Sequence, residues 1–258
     1  MPNVTYFGYI GAQNLTYVGH ATVLLDLGGV RLLTDPVLRP RVMHLRRQGP
    51  APAPPQGLDA VLISHLHMDH LDLGSLRMLG DVRVVAPAGA GQFLHAQGLN
   101  DVIEVAAGES VEIGSVTARA TPAVHDGRRR PLGGPVADPI GFDLRWGDRR
   151  AYFAGDTAPF DGMAELGDGL DLALLPVSGW GRKMGPGHLD PGEAAEVAAL
   201  LAPRLAVPIH WGTYFPTGLA WRHPELLTAP PREFAAQVAE LAPEVDVRTV
   251  EPGGSLSL

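Results

Sequence analysis

The sequence of 258 residues contains no cysteine. Disulfides, thiolate metal sites and dithiol redox motifs are therefore excluded, and any metal must be held by nitrogen and oxygen ligands. Aromatic residues make up only 6% of the chain, so we expect a core built mainly from Leu, Val and Ala. No uncharged apolar stretch is long enough to cross a bilayer, so stable membrane insertion is not expected.

Positively charged residues are also fewer than negatively charged ones. The chain has 20 Lys and Arg residues against 28 Asp and Glu, which gives a formal net charge of -8. A general nucleic-acid-binding protein needs a broad basic face to neutralise phosphates, so no nucleic-acid partner is expected. Residues 1–14 lack a basic start followed by a long apolar run, so we predict no secretory signal and expect a cytoplasmic protein.

Patterns typical of β-strands dominate the chain, and its hydrophobic content of 45% is enough for a substantial core. Strands are predicted at residues 22–27, 30–34, 60–64, 82–86, 111–113, 115–120, 142–146, 150–154, 172–177 and 205–209. One helix is predicted at 191–201, with Asp190 as its N-cap, Pro191 in the first position and Glu193 completing a capping box. A second is predicted at 233–241. Many strands with interspersed helices indicate two sheets with helices packed outside them, in one domain over residues 1–258.

The segment His65-Leu66-His67-Met68-Asp69-His70 directly follows the predicted strand 60–64. Imidazole and carboxylate groups are good ligands for zinc, manganese or iron. Residues 65 and 67 can project to the same side of an extended segment. If the chain then turns into a helix, Asp69 and His70 can face a second ion beside the first. A solvated polar loop is the alternative, but so dense a pattern is rare in a chain with only 10 histidines.

Four residues are too few for two metal shells, so donors from elsewhere are required. Three candidates follow predicted strands: His125, Asp156 and His210. Gly155 would allow the backbone before Asp156 to approach its neighbours closely. Taken singly, each could be a capping or buried structural residue; together with the histidine cluster they indicate a metal site.

These residues and their order resemble the metallo-β-lactamase superfamily. Within it, the chain is similar to the branch of ascorbate-6-phosphate lactonase-like enzymes and of the phospholipase D that hydrolyses N-acyl phosphatidylethanolamine. The strings that carry the resemblance are Gly19-His20-Ala21-Thr22, Leu33-Thr34-Asp35-Pro36, the cluster itself, Gly155-Asp156-Thr157, His188-Leu189-Asp190-Pro191 and His210-Trp211-Gly212-Thr213. Leu66, Met68 and Asp126 depart from the phospholipase pattern.

The resemblance implies an α/β fold, a four-layer αββα sandwich, with two divalent metal ions at one edge. It assigns His65, His67 and His125 to one metal and Asp69, His70 and His210 to the other, with Asp156 bridging them. Asp35 would steady the ligands and His188 would line the pocket. His20 would line the pocket too, or serve as a buried structural histidine. Zinc fits these donors best, with manganese and iron as alternatives.

Such a site implies a hydrolase. Two cations lower the pKa of a bound water toward neutrality, and the hydroxide attacks a carbonyl carbon or a phosphorus. By family analogy, Asp69 orients the hydroxide and His188 protonates the leaving group or hydrogen-bonds the substrate. The leading expectation is cleavage of a lactone or phosphodiester in a small, anionic molecule. Anion-binding groups could come from Arg128, Arg129, Arg130, Arg182 and Lys183, or these could be solvated surface charges.

Three other functions stay open from the sequence. A lipid phosphodiesterase would need an apolar face, which Phe160, Met163, Trp180, Met184, Phe215 and Trp221 could furnish. An RNA-processing nuclease is disfavoured by the acidic balance of the chain. A non-catalytic metal-binding protein is disfavoured by the completeness of the ligand set. The sequence leaves open whether the protein forms a homo-oligomer.

Overall fold

The computed structural model describes residues 13–130, 132–179 and 185–258. The first nine strands are β1 (Asn14–Gly19), β2 (Thr22–Leu27), β3 (Val30–Thr34), β4 (Arg41–Val42), β5 (Leu45–Arg47), β6 (Ala60–Leu62), β7 (Val84–Pro87), β8 (Val102–Val105) and β9 (Ser110–Ile113). The following strands are β10 (Val116–Pro122), β11 (Ile140–Trp146), β12 (Arg149–Phe153), β13 (Leu172–Pro176), β14 (Leu205–Ile209), β15 (Tyr214–Pro216), β16 (Asp246–Val247) and β17 (Ser255–Ser257). The helices are α1 (Leu73–Leu79), α2 (Gly91–Ala96), α3 (Pro191–Leu201) and α4 (Glu225–Leu241), with a 3₁₀ turn at Met163–Leu166.

Two large sheets form the centre of the fold. One has the strand order β17-β1-β2-β3-β6-β7-β8 and the other the order β16-β14-β13-β12-β11-β10-β9, each with 7 strands. A small third sheet joins β15, β5 and β4. The strands β3, β6, β7 and β8 run parallel to one another, as do β12, β13, β14 and β16. Loops at the carboxyl ends of these parallel strands therefore meet at one edge of each sheet.

The core lies between the two sheets and continues under the helices. Leu25 and Leu62 of the first sheet belong to the same buried cluster as Phe142 and Leu174 of the second, and this cluster extends to Ala194 of α3. A second cluster lies on the outer face of the first sheet under α1 and α2. The layers are therefore helices, sheet, sheet and helices, and the predicted αββα sandwich is confirmed.

Local chemistry explains most of the predicted elements. The β2–β3 hairpin turns at Gly28 and Gly29, both with positive φ, as the sequence predicted. Helix α3 begins with the predicted capping box: Asp190 accepts from the Glu193 N–H while the Glu193 side chain accepts from the Asp190 N–H. No helix of the described residues is long and apolar enough to cross a membrane.

The prediction for the last helix was wrong at its start. Helix α4 begins at Glu225 rather than at residue 233, because it continues through Pro230 and Pro231. Both prolines are buried and lack the N–H that an uninterrupted helix would use. Packing of the helix against α3 and β14 outweighs that loss.

Candidate metal centre

The predicted site residues lie at strand ends on one edge of the sandwich. Asp35 follows β3, the 65–70 segment follows β6, and Asp156 follows β12; His125 and His210 follow β10 and β14. A Cβ on Gly155 would lie 2.6 Å from the Ser64 Cβ, so only glycine permits this approach of the β12 and β6 ends. The close approach predicted for Gly155 is therefore what brings Asp156 beside the histidine segment.

Three histidines form a first group of nitrogens. The Nδ1 atom of His67 lies 3.0 Å from His65 Nε2 and 3.0 Å from His125 Nε2. Ligand nitrogens about 2.0 to 2.1 Å from a tetrahedral zinc ion lie about 3.3 to 3.4 Å from one another. The spacing of these three nitrogens is therefore close to that of a tetrahedral ligand set, and we name them the His67 group.

Asp69, His70 and His210, together with His20, form a second group whose possible ligand atoms lie within 4.8 Å of one another. We name these residues the His210 group. The Asp69 Oδ2 atom lies 3.8 Å from His70 Nε2. Residues 67–70 form a turn rather than the start of a helix, with the N–H groups of His70 and Leu71 both donating to the His67 carbonyl. The His70 ring lies 4.1 Å from the ring of His65, so the His210 group adjoins the His67 group.

Asp156 lies between the two groups. Its Oδ2 atom is 3.3 Å from His70 Nε2, 3.4 Å from His210 Nε2 and 3.5 Å from His188 Nε2. Its Oδ1 atom is buried and accepts no hydrogen bond from the described residues. A buried carboxylate oxygen without a donor is costly unless a cation binds it. The donor set thus fits a pair of divalent cations with Asp156 between them.

Neighbouring acceptors fix the histidine orientations. Asp35 Oδ2 lies 2.7 Å from His70 Nδ1 and accepts from the Ser64 hydroxyl at 2.5 Å. The same hydroxyl lies 3.0 Å from His65 Nδ1. His125 Nδ1 lies 2.7 Å from the Gly187 carbonyl oxygen. When each Nδ1–H donates to its acceptor, each Nε2 lone pair faces the centre, as metal-binding histidines require.

The electrostatics keep several of these histidines neutral. Burial lowers the pKa values of His65, His67 and His125, and it lowers the pKa of His210 to about 3. Burial also disfavours the imidazolium of His70, but the nearby carboxylates of Asp156 and Asp35 raise its pKa well above the usual value. Neutral imidazoles are the form that binds metal, so most of the set is ready to do so.

The comparisons with known proteins identify the family. Residues 30–211 match the model of the beta-lactamase superfamily domain. A UPF0173 metal-dependent hydrolase of Rubrobacter xylanophilus is 32% identical over 258 residues, which span 96% of this chain and 97% of that protein. The chain belongs to the metallo-β-lactamase superfamily. It is accordingly a metal-dependent hydrolase, and the resemblance inferred from the motifs is confirmed.

Two further similar proteins extend the comparison. N-acyl-phosphatidylethanolamine-hydrolyzing phospholipase D 1 of Caenorhabditis elegans is 34% identical over 226 residues, which span 77% of this chain and 64% of that protein. The structure of Igni18, a metallo hydrolase from the archaeon Ignicoccus hospitalis, matches with a TM-score of 0.72 and 25% identity over 96% of this chain and 98% of that one. The similarity to Igni18 therefore extends over nearly the whole of both chains.

His20 contacts two candidate metal ligands, Asp69 and His210, which the sequence did not predict. It is buried, and its Nε2 atom lies 3.2 Å from Asp69 Oδ2. Its ring lies 3.9 Å from the ring of His210, and its carbonyl accepts from the His210 N–H at 2.8 Å. His20, Asp35 and His210 all have positive φ values, of 61°, 32° and 64°. Such conformations are unfavourable for non-glycine residues and are typical of functional sites.

His188 lies at the rim of the centre, where its side chain is 26% exposed. Its ring is 4.7 Å from the ring of His125, edge to face. Its Nδ1 atom lies 3.3 Å from the Gly185 carbonyl oxygen, and its Nε2 atom lies on the Asp156 side. His188 can therefore reach both the centre and a molecule that enters from solvent.

Two of the arginines that follow His125, Arg128 and Arg129, contact groups of the protein itself. Arg128 pairs with Asp126 at 2.7 Å on the surface. Arg129 is buried and donates to main-chain carbonyls, so it is not available to an anion. Arg182, Lys183, Trp180 and Met184 lie outside the described residues. Neither of the two roles left open by the sequence, an anion-binding group or a solvated surface charge, fits Arg129.

A cavity of about 410 Å³ opens beside His20 and His210. Its apolar wall includes Trp211, Phe215 and Leu227. The carboxylates of Asp190, Glu225 and Glu233 also line it. The cavity has the size of a pocket for a small molecule.

Sequence reasoning missed Ser64 and Gly187, and it did not predict the contacts of Arg129 with main-chain carbonyls. Ser64 bridges Asp35 and His65, and Gly187 supplies a carbonyl to His125. Ser64 could have been found, because it stands between a buried strand and the first histidine of the cluster. Gly187 and Arg129 act through contacts to residues 58 or more positions away, which no local pattern reveals.

Proposed function

We propose that this metallo-β-lactamase superfamily hydrolase uses two divalent cations to cleave a phosphodiester or lactone bond in a small molecule. The convergence of the His67 group and the His210 group on Asp156 carries this proposal. A carboxylate between two ligand sets can be shared by two cations, and the buried Asp156 Oδ1 atom, which accepts no hydrogen bond from the part of the chain that the structure describes, fits that role.

The residues divide naturally between two cations. His65, His67 and His125 would hold one, while Asp69, His70 and His210 would hold the other, with Asp156 shared. Their nitrogen and oxygen donors suit zinc best and are compatible with manganese or iron. When bound, such a pair supplies an activated water at neutral pH and polarises the oxygen of the bond under attack.

Asp69 and His188 would move protons during the reaction. The Asp69 carboxylate is held by His20 at 3.2 Å and is partly exposed, at 19%, toward the centre. From there Asp69 orients the attacking water and accepts its proton. His188, exposed on its outer side, donates a hydrogen bond or a proton to the departing oxygen.

The cavity beside His20 and His210 would take the part of the substrate that does not react. Its volume suits a small molecule rather than a polymer. The apolar wall favours an aliphatic or aromatic group there. Since Arg129 is committed to main-chain carbonyls, the described residues give little support for an anionic substrate group on the side of His125.

The experiment is metal analysis of the purified protein coupled to a panel of esters, lactones, phosphodiesters and short RNA. We expect about two metal equivalents per chain, with turnover of a phosphodiester or a lactone. A chelator abolishes that turnover and added zinc restores it. Fully metal-loaded protein with no turnover across the panel would instead indicate a non-catalytic metal-binding protein.

A lipid phosphodiesterase is a second candidate, because the Caenorhabditis elegans relative is named as a phospholipase D and is 34% identical over 226 residues. Of the residues expected to form an apolar face, Met163 and Phe215 are buried, whereas Trp221 is 72% exposed. Hydrolysis of phosphatidylethanolamine derivatives in vesicles, lost in a Trp221→Ala variant that still cleaves soluble phosphodiesters, would favour this candidate.

A further inference from the structure

Arg129 is a buried charged residue that the proposed chemistry does not use. It lies four positions after His125, in the segment that joins β10 to β11, and its side chain is only 9% exposed. Its Nη1 atom donates to the carbonyl oxygens of Leu66, at 2.8 Å, and Leu71, at 3.1 Å. Its guanidinium carbon lies 4.9 Å from the centre of the Phe93 ring.

The two acceptors stand on either side of the histidine turn. Leu66 and Leu71 enclose residues 67–70, which include His67 of one group and His70 of the other. A single guanidinium nitrogen therefore holds the two ends of this turn at a fixed separation. Burying a guanidinium is unfavourable, and burial lowers the pKa of Arg129 to about 10. The hydrogen bonds to two carbonyls and the stacking on Phe93 offset that cost.

Two backbone hydrogen bonds link the two sides of the loop that carries Arg129. The Arg129 N–H donates to the Pro135 carbonyl and the Ala137 N–H donates to the Gly127 carbonyl, both at 3.1 Å. A Cβ on Gly127 would lie 2.2 Å from the Ala137 carbonyl oxygen, so this pairing requires glycine. A displacement of Arg129 would therefore move the paired residues 127–129 and 135–137 together, and Gly127 lies two positions after His125.

We infer that Arg129 is a positioning residue that sets the separation of His67 and His125 in the His67 group. One end of the arginine is fixed in the segment of His125, and the other holds the turn of His67. The separation that Arg129 would set is the 3.0 Å between His67 Nδ1 and His125 Nε2. The inference rests on the proposed function in one respect, namely that the His67 group binds a cation.

The test compares Arg129→Ala with Arg129→Lys and with the matched control Arg128→Ala, whose arginine pairs with Asp126 on the surface. Zinc affinity is measured by competition with a chromophoric chelator, and the thermal unfolding of the metal-free proteins is recorded in parallel. We expect Arg129→Ala to weaken one of two zinc sites 10- to 100-fold, which is the range for groups that orient ligands. Arg129→Lys should recover part of that loss, and Arg128→Ala should bind like the wild type.

Combining Arg129→Ala with a variant of either histidine group shows which metal site Arg129 affects. In a His210→Ala background, where the His67 group is the remaining site, Arg129→Ala should weaken the remaining zinc site by the same factor. In a His67→Ala background, adding Arg129→Ala should change the remaining affinity less than threefold, because Asp35 holds His70 and His20 contacts Asp69 whether or not Arg129 is present. Equal weakening in both backgrounds, or none in either, overturns the inference. If Arg129→Ala does not fold, the same comparison is made with Arg129→Lys.

Zinc binding by the wild-type protein distinguishes a failure of this inference from a failure of the proposed function. Two zinc ions in the wild type with unchanged binding in the Arg129 variants would refute the role of Arg129 alone. A wild-type protein that binds neither zinc, manganese nor iron would refute the proposed function, and the inference with it.

Discussion

The Nδ1 atom of His70 lies 2.7 Å from the Asp35 Oδ2 atom, and both side chains are fully buried. The same oxygen accepts from the Ser64 hydroxyl, which in turn lies 3.0 Å from His65 Nδ1. One carboxylate thus orients one histidine of the His210 group directly and one histidine of the His67 group through a serine. Asp35 therefore connects a histidine of the His210 group with a histidine of the His67 group.

Substituting Asp35→Asn should weaken the binding of both metals. An amide can turn its NH₂ toward His70, which would favour the tautomer with its proton on Nε2, facing the centre. We expect 10- to 100-fold lower zinc affinity, measured by chelator competition. Asp101→Asn, at a surface pair with Arg83, is the matched control and should bind zinc like the wild type. Equal zinc affinity in Asp35→Asn and the control would show that Asp35 does not orient the ligands.

Removing the central imidazole of the His67 group should abolish metal binding there with little effect on the fold. His67 is partly exposed and its Nδ1 atom is shared by two neighbours at 3.0 Å. We expect His67→Ala to lose one metal equivalent and its activity, while the melting temperature of the metal-free protein stays within a few degrees. Exposed His44→Ala serves as the control. A His67→Ala protein that is fully active without metal would contradict the proposed centre.

Substitution of His188 should slow the reaction while metal binding is retained. Because His188 lies at the rim and its proposed role is proton transfer, His188→Gln should keep both metals and lower kcat by about 10²- to 10⁴-fold. The loss should shrink for substrates with a good leaving group, which needs no proton. A uniform loss for good and poor leaving groups would argue against proton donation by His188.

Acid should destabilise the metal-free protein. Burial lowers the pKa of His210 to about 3, so below about pH 6.5 the unfolded chain binds a proton that the folded chain does not. The stability contributed by neutral His210 is therefore present above pH 6.5 and is lost as the pH falls. From pH 7 to pH 5 this histidine alone accounts for about 2 kcal/mol of unfolding free energy.

The other histidines of the centre do not reverse the expected loss of stability in acid. The lowered pKa values of His65, His67 and His125 act in the same direction. The raised pKa of His70 contributes stability that is complete below pH 6.5 and lost only at higher pH. Urea unfolding with chelator present, at pH 7 and pH 5, measures the effect, and His210→Ala should show a smaller difference. Equal stability at the two pH values would refute it.

Much of this centre could be predicted from the sequence, because its chemistry is concentrated at strand ends. The seven proposed ligands, Asp35 and the cap of α3 all stand beside recognisable strand or turn signals. The short helices α1 and α2 were not predicted, since helices of this length depend on packing against a sheet rather than on their own pattern. Arg129 could not be assigned, because its carbonyl partners lie 63 and 58 residues away.

The most direct test of the dinuclear centre is anomalous diffraction at the zinc edge from crystals of the zinc-loaded protein. We expect two peaks in each chain, one among His65, His67 and His125 and the other among Asp69, His70 and His210, with Asp156 contacting both. A single peak, or peaks remote from Asp156, would contradict the account.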